Sequence, residues 1–452
     1  MLKKIISLNI SLIFLILCII PINAEFKPVL DLKSTAAILV DLDTGNRLFS
    51  KNPNQKIQPA QLVNIMVAIV VLEQCSDIAN TSITANDSAW TELLNWGEKD
   101  KTYGLIKGGQ TLTVKDYLYA LMLSSSIESA CVLGNYFGEG MPNFIVKMND
   151  KAKALGCENT YFTNAHGLFD PAAYTTAADM ALITQYALKN NRFTEIACTL
   201  EYEVPEYSLY WKHTNVMLFP ENSKYYFAGT KGIKTGNLAD VGRNLSVMAD
   251  MQAGGRSYRY LVIVLAAPYE TAASGTVYNH IKDTVTILNW ATKHLSVTNV
   301  INIDEHLAEL QVLYADTKED FIELVPANSY SMLWNDETDV NAIEKKITIN
   351  DKKLVAPVEK GTIYGKVDLI LSGETIATID LVANKSVERS AYEFNKKAAL
   401  EFYKSSYWKK GVKIFIVFFI IYILLYFAAL GYAHSEPNKA KQWKKSQRRK
   451  HK

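Results

Sequence analysis

The stretch from Gln58 to Glu73, QPAQLVNIMVAIVVLE, restricts the fold of this chain more than any other. Proline is tolerated at or just before a first helical turn, and here an unbroken apolar run follows it. Ile65, Ala68, Ile69 and Leu72 recur at helical spacing, and the positions between them are mostly apolar too. A helix that is apolar nearly all round belongs in the centre of a domain, with other elements packed on every side. Its first turn is then where polar side chains open into whatever cleft the fold has. Gln61 and Asn64 stand there, three residues apart and so on one face.

With 452 residues there is room for more than one domain, and 49% hydrophobic with 21% charged residues describes a folded chain rather than a disordered one. The net charge of +2 hides an asymmetry, because Ala433 to Lys452 holds eight Lys or Arg and one Glu. Between Glu25 and Lys410 there are 37 basic against 45 acidic residues. A net-acidic body argues against nucleic acid as a partner. Cys18 lies in the N-terminal apolar run, which leaves Cys75, Cys131, Cys157 and Cys198 at irregular spacing with no Cys-x-x-Cys pair and no His pair beside them. That pattern predicts buried free thiols, with one disulfide as the alternative, and neither a metal site nor a cofactor.

Residues 1–24 read as a secretory signal: Lys3-Lys4, an apolar run from Ile5 to Ile20, then Pro21-Ile-Asn-Ala24 before Glu25. Cleavage after Ala24 is expected, with an uncleaved anchor as the alternative because Ile22 is not small. Leu39 to Ser50 predicts two strands around a tight turn at Asp43-Thr44-Gly45. Thr113 to Gly138, Asn143 to Leu155, Thr175 to Lys189 and Tyr278 to His294 predict helices, the third capped by Thr175 or Thr176. Gly229 to Gly236, Ser246 to Ala249 and Tyr260 to Ala266 predict strands. Strands at both ends with helices between them suggest an α/β domain over 25–296, a sheet flanked by helices.

From about Val297 the texture changes to alternating apolar and polar residues, as in Phe321–Val325, Gly365–Leu371 and Glu374–Leu381, with Ser372-Gly373 as a hairpin turn. This predicts a small all-β domain over 297–388. A helical stalk, 389–413, follows. Ile414 to Tyr432 is nineteen uncharged residues, which at 1.5 Å each spans ~28 Å, enough for a bilayer core. The basic tail 433–452 is then cytoplasmic by the positive-inside rule, and the body lies outside the cell membrane.

Five blocks stand in order: Asp41-Leu-Asp-Thr-Gly-Asn-Arg-Leu-Phe49; Pro59-Ala60 with positions 61 and 64 before Ile65-Met66; Leu123-Ser-Ser-Ser-Ile-Glu-Ser-Ala130; Tyr161-Phe-Thr-Asn-Ala-His-Gly-Leu168 with Tyr174-Thr-Thr-Ala-x-Asp179; and Gly232-Ile-Lys-Thr-Gly236. Together they resemble the low-molecular-mass penicillin-binding proteins, the serine D-alanyl-D-alanine carboxypeptidases. The resemblance runs from about Lys33 to Val387, and a C-terminal membrane anchor fits it. It implies the β-lactamase and penicillin-binding-protein type of α/β domain. It also implies acyl transfer, in which a serine on the first turn of the central helix attacks the D-Ala-D-Ala bond and a lysine three residues on takes its proton. A Ser-x-Asn segment lines the opposite wall, a Lys-Thr-Gly strand binds the terminal carboxylate, and backbone N–H groups form the oxyanion hole. Members of the family are also acylated by penicillin.

The departures from this pattern matter as much as the matches. Gln61 holds the nucleophile slot and Asn64 the base slot, and the second motif aligns with Ser125-Ser126-Ile127, so Ile127 replaces its asparagine. Lys234-Thr235-Gly236 is complete. An amide is neither a nucleophile nor a base near neutral pH. The expectation is a degenerate homologue at the outer membrane face that binds stem peptides through Lys234 and Thr235, or holds a cell-wall enzyme partner through the β domain. The rival readings are an active carboxypeptidase with an unconventional site, using one of Ser124 to Ser126 near Lys234, and an adaptor that no longer touches the wall. Three other features predict structure rather than chemistry: the retained glycine of the edge strand, the loop histidine His166, and the aromatic cluster Tyr202, Tyr207, Tyr210 and Trp211. For that cluster, stacking on sugar rings is the alternative. Ser406-Tyr-Trp-Lys409 matches Ser-x-x-Lys by chance, in the stalk.

Overall fold

A computed structural model describes residues 26–95, 100–222, 224–253, 256–273, 275–316, 318–350, 353–371 and 373–449. The segment 1–24, read as a signal, lies outside these residues.

The N-terminal body is built on a five-stranded antiparallel sheet. Its strands are β1 (Ala36–Asp41), β2 (Arg47–Lys51), β3 (Thr230–Leu238), β4 (Gly242–Ala253) and β5 (Arg256–Ala267), in the order β2-β1-β5-β4-β3. The turn at Asp43-Thr44-Gly45 is held by Asp41, whose carboxylate accepts the Asp43 N–H at 3.0 Å and the Thr44 hydroxyl at 2.6 Å. Side chains alternate between faces along a strand. Ile38, Val40, Leu261, Ile263 and Leu265 join the main hydrophobic cluster. Leu39, Val262 and Val264 are equally buried but outside that cluster, as alternation onto the opposite face requires. Helix α6 (Asn279–His294) packs against β4 and β5.

Helix α1 (Val63–Gln74) occupies the position its composition predicts: Val63 to Leu72 are all buried, with α3 (Ile127–Gly138), α4 (Met141–Ala154) and α5 (Ala177–Leu188) packed around it. Burying each large aliphatic side chain of such a helix contributes ~1.5–3 kcal/mol. Thr176 caps α5, its hydroxyl accepting the Asp179 N–H at 3.1 Å.

The expected single helix from Thr113 to Gly138 is broken. Helix α2 (Val114–Tyr119), closed by a Thr113–Asp116 capping box, runs into a π turn over Ala120–Ser124. Ser125 then adopts a left-handed φ of 61°, and α3 restarts with Ser126 as its N-cap. Consecutive serines compete for backbone groups and favour such interruptions. The short hairpin Glu201–Val204 with Leu209–Lys212, and the paired strands Leu295–Ile301 and Tyr330–Asn335, are further elements that periodicity did not reveal.

The C-terminal body is a six-stranded sheet of β6 (Ala308–Leu313), β7 (Phe321–Pro326), β8 (Glu344–Ile349), β9 (Leu354–Val355), β10 (Ile363–Leu371) and β11 (Glu374–Ala383), in the order β8-β10-β11-β7-β6-β9. Of the expected Ser372-Gly373 turn, Ser372 lies outside the described residues and Gly373 has a φ of +86°. Helix α7 (Ala391–Lys404) follows, and α8 (Ser406–Arg449) contains the expected span. Ser406–Tyr432 is long and apolar enough to cross a membrane. None of Cys75, Cys131, Cys157 and Cys198 is in a disulfide; burial pushes Cys157 up to about 12 and Cys198 up to about 11.

Candidate active site

A 3-10 turn, Ala60–Leu62, leads into α1, so Gln61 and Asn64 sit side by side at the helix start. Two close approaches shape this turn. Gly167 has a φ of +77°, and a Cβ there would lie 2.5 Å from the Ala60 carbonyl oxygen. A Cβ on Gly236 would lie 3.0 Å from the Ala60 Cβ and 3.2 Å from the Gln61 nitrogen. Both retained glycines therefore have packing reasons, the second because it lets edge strand β3 run against the helix start. Asn244 pins the preceding loop: its Nδ2 donates to the Gln58 and Pro59 carbonyls at 2.9 and 3.1 Å, and its Oδ1 accepts the Ala266 N–H at 2.8 Å.

Both amides are buried. The Gln61 Oε1 accepts the Asn237 N–H at 2.7 Å, and the Asn64 Nδ2 donates to the Leu121 carbonyl at 3.2 Å. The Gln61 Nε2 and the Asn64 Oδ1 have no protein partner. The Asn237 N–H, one residue past Lys-Thr-Gly, is thus engaged by a carbonyl oxygen from within the chain.

On the facing wall, Lys234 is wholly buried; its ammonium nitrogen donates to the Met122 carbonyl at 3.0 Å and contacts the Ser125 Oγ in a short hydrogen bond. Burial lowers Lys234 to about 7. His213, buried nearby, is lowered to about 3, first by burial and then by the Lys234 charge, and its Nδ1 accepts the Asn215 N–H at 3.0 Å. The Thr235 and Thr214 hydroxyls share a 2.5 Å hydrogen bond. Ile127 is fully buried in the hydrophobic core.

The cleft between these walls is open, with a volume of about 320 Å³; Gln61, Ser125, Thr214, Thr235, Gly236 and Asn237 line it. Arg243 also reaches it, its guanidinium 4.7 and 4.5 Å from the ring centres of Tyr269 and Tyr278. Of the residues the sequence singled out, Gln61, Ser125, Thr235 and Gly236 meet in this cleft. Lys234 backs the wall from behind, while Asn64 and Ile127 are buried. Thr214, Asn237, Arg243 and Asn244 carried no sequence signal: Thr214 lies in the loop after the strand Leu209–Lys212, and the other three are oriented by strand register and by a bulge in the β4–β5 pairing beside Asn244.

His166 is a buried loop residue: its Nδ1 accepts the Leu168 N–H at 3.2 Å, and burial lowers it to about 4. In the aromatic cluster Tyr202 and Trp211 are packing residues, whereas Tyr210 is exposed. Tyr202 stacks on Tyr119 at 3.8 Å and donates its hydroxyl to Asp116 at 2.7 Å, while the Trp211 indole donates to the Gly104 carbonyl at 2.9 Å. Among the described residues, no group of three or more His, Cys, Asp or Glu is placed to hold a metal.

The profile of the D-alanyl-D-alanine carboxypeptidase family matches residues 23–268, and that of the penicillin-binding protein 5 C-terminal domain matches residues 296–389. The chain belongs to the D-alanyl-D-alanine carboxypeptidase family, the low-molecular-mass penicillin-binding proteins. Among its relatives are D-alanyl-D-alanine carboxypeptidase DacF of Bacillus subtilis, 26% identical over 370 residues (80% of this chain, 87% of the relative), and DacC of Escherichia coli, 26% identical over 360 residues (79% and 85%). The fold is similar to penicillin-binding protein 5 from Haemophilus influenzae, with a TM-score of 0.57 at 22% identity over 80% of this chain and all of that one. It is also similar to a Streptococcus pneumoniae protein described as a peptidoglycan synthesis regulatory factor, with a TM-score of 0.55 at 19% identity over 79% of this chain and all of that one.

Proposed function

We propose that this chain is a membrane-anchored, extracytoplasmic homologue of the carboxypeptidases that binds peptidoglycan stem peptides without cleaving them at the helix start. It acts by binding or by regulating a cell-wall enzyme. The observation that carries this reading is Gln61. Its side-chain carbonyl accepts the Asn237 N–H at 2.7 Å, so an internal amide takes the donor that an incoming peptide carbonyl would need. Asn64, bonded to Leu121, supplies no base. The open cleft, with the Thr235 hydroxyl on one wall, supports retained binding. In this reading α8 spans the membrane, the basic tail is cytoplasmic and the body faces the wall.

The test uses a stem pentapeptide ending in D-Ala-D-Ala. D-Alanine release by the full-length protein in detergent is expected at the uncatalysed rate, with calorimetric binding that Thr235→Val weakens about tenfold, the loss of one good hydrogen bond. Release of D-alanine at many turnovers would overturn the loss of reaction, and absence of binding would favour the adaptor reading.

A further inference from the structure

Of the three consecutive serines, two are committed to structure. The Ser124 Oγ donates to the Ala120 carbonyl at 2.8 Å. The Ser126 Oγ donates to the Glu128 Oε2 at 2.8 Å and accepts the Ser129 N–H at 3.1 Å as the α3 cap. Ser125 is placed differently. It lines the cleft, and its Oγ is hydrogen-bonded to the Lys234 Nζ. Its φ of 61° is a left-handed backbone conformation that residues with a Cβ seldom adopt. That conformation turns the serine out of the helical path at the break between the π turn and α3 and presents it to the cleft.

Lys234 meets the requirements of a base. Its amine is fully buried and donates to a backbone carbonyl, not to a carboxylate. Burial without a carboxylate favours the neutral amine, which has a lone pair to accept a proton. Burial is the cause that lowers Lys234, and His213 on the neighbouring loop is itself held neutral by burial. Asp100, Lys101, Arg243 and His280 stand farther round the cleft.

We infer that Ser125 and Lys234 form a nucleophile–base pair through which the cleft accepts an acyl group from an activated carbonyl, an ester or a strained amide, independently of Gln61 and Asn64. The Ser125 Oγ forms a bond to the carbonyl carbon as the bond to the leaving group breaks. The hydroxyl proton passes to the Lys234 lone pair, and the leaving group departs with the bonding electrons, collecting that proton when it is an amine. With the Asn237 N–H engaged by Gln61, neither the first attack nor a later hydrolytic one gains that donor. The activated leaving group carries the first step, whereas the acyl-serine is an unactivated ester whose hydrolysis is slower, so the acyl group accumulates on Ser125. This goes beyond the binding reading and does not require peptide turnover.

The probe is p-nitrophenyl acetate, with full-length protein in detergent. The expected result is a burst of one p-nitrophenolate per chain, with the acetyl group mapped to Ser125 by mass spectrometry. The burst rate should rise about tenfold per pH unit up to about 7, where the Lys234 amine becomes neutral, and level off above it. Ser125→Gly, which suits the left-handed backbone, should abolish the burst while the thermal midpoint is kept. Lys234→Met should slow it by about 10²-fold or more. Acetylation mapped to lysines or to Ser124 or Ser126, a burst that survives Ser125→Gly, or a rate indifferent to pH between 5 and 8 would each overturn the inference. None of these outcomes bears on whether the stem pentapeptide binds or loses D-alanine, so failure here is distinct from failure of the binding reading.

Discussion

Gln61→Ser is expected to leave the protein as stable as before or more stable, although Gln61 is only 2% exposed. Large-to-small replacements at buried apolar positions ordinarily cost ~2–5 kcal/mol through lost transfer energy and the cavity left behind. Here the terms differ. The substitution loses the 2.7 Å hydrogen bond to the Asn237 N–H, a net ~1 kcal/mol, and about one methylene of burial, ~0.8 kcal/mol. It also removes a buried Nε2 without a protein partner, worth ~1–3 kcal/mol, and releases the rotamer freedom of an ordered glutamine, up to ~2 kcal/mol. Gln61 borders the open cleft and Asn237 is exposed, so the space vacated by the shorter side chain opens to water and no sealed void remains. The terms sum to between a loss of ~0.8 kcal/mol and a gain of ~3 kcal/mol, centred on a gain of ~1 kcal/mol. Urea unfolding of the variant and parent at pH 7.5 measures it. A loss above ~1 kcal/mol would refute the reasoning and show that the amide is a structural keystone.

Acid should weaken the fold in a defined window. Burial lowers His166 to about 4, and His213 and His280 to about 3, against an ordinary value of 6.5. A depressed histidine contributes stability that is intact above pH 6.5 and is lost as pH falls from there toward its folded value, at ~1.4 kcal/mol per pH unit for each ring. Denaturation midpoints at pH 7.5, 6.0 and 5.0 check this, and a flat profile would contradict neutral burial. Gly167→Ala should destabilise by ~2–4 kcal/mol, since the added Cβ would lie 2.5 Å from the Ala60 carbonyl at a φ of +77°; a thermal midpoint within a degree of the parent would refute that contact. Gln61→Ser with Asn64→Lys should regain acylation by fluorescent penicillin, mapped to the helix-start peptide. Adding Ile127→Asn should lower stability by ~3 kcal/mol or more, because Ile127 is wholly buried in the core. Absence of label on the helix-start peptide of the double variant would show that these two substitutions do not suffice for acylation there.

Local physics made much of this protein legible from its sequence. An all-round apolar helix had to be central, alternating strands had to form the C-terminal sheet, and the nineteen uncharged residues Ile414–Tyr432 stood out by composition, within the longer apolar helix segment Ser406–Tyr432. Motif spacing alone singled out positions 61, 64 and 127 as departures from the family resemblance. What spacing could not supply is direction. Whether Gln61 blocks the cleft or lines it depends on β3 passing within reach of the helix start, which Gly167 and Gly236 permit and Asn244 holds in place. Ile127, aligned with a cleft residue, is turned into the core because the chain reverses at Ser125 rather than continuing as a helix. Lys234, singled out by its Lys-Thr-Gly motif, is buried and hydrogen-bonded to Ser125. Its charge state follows from burial among elements distant in sequence, and that burial exists only once the sheet and the helices have packed.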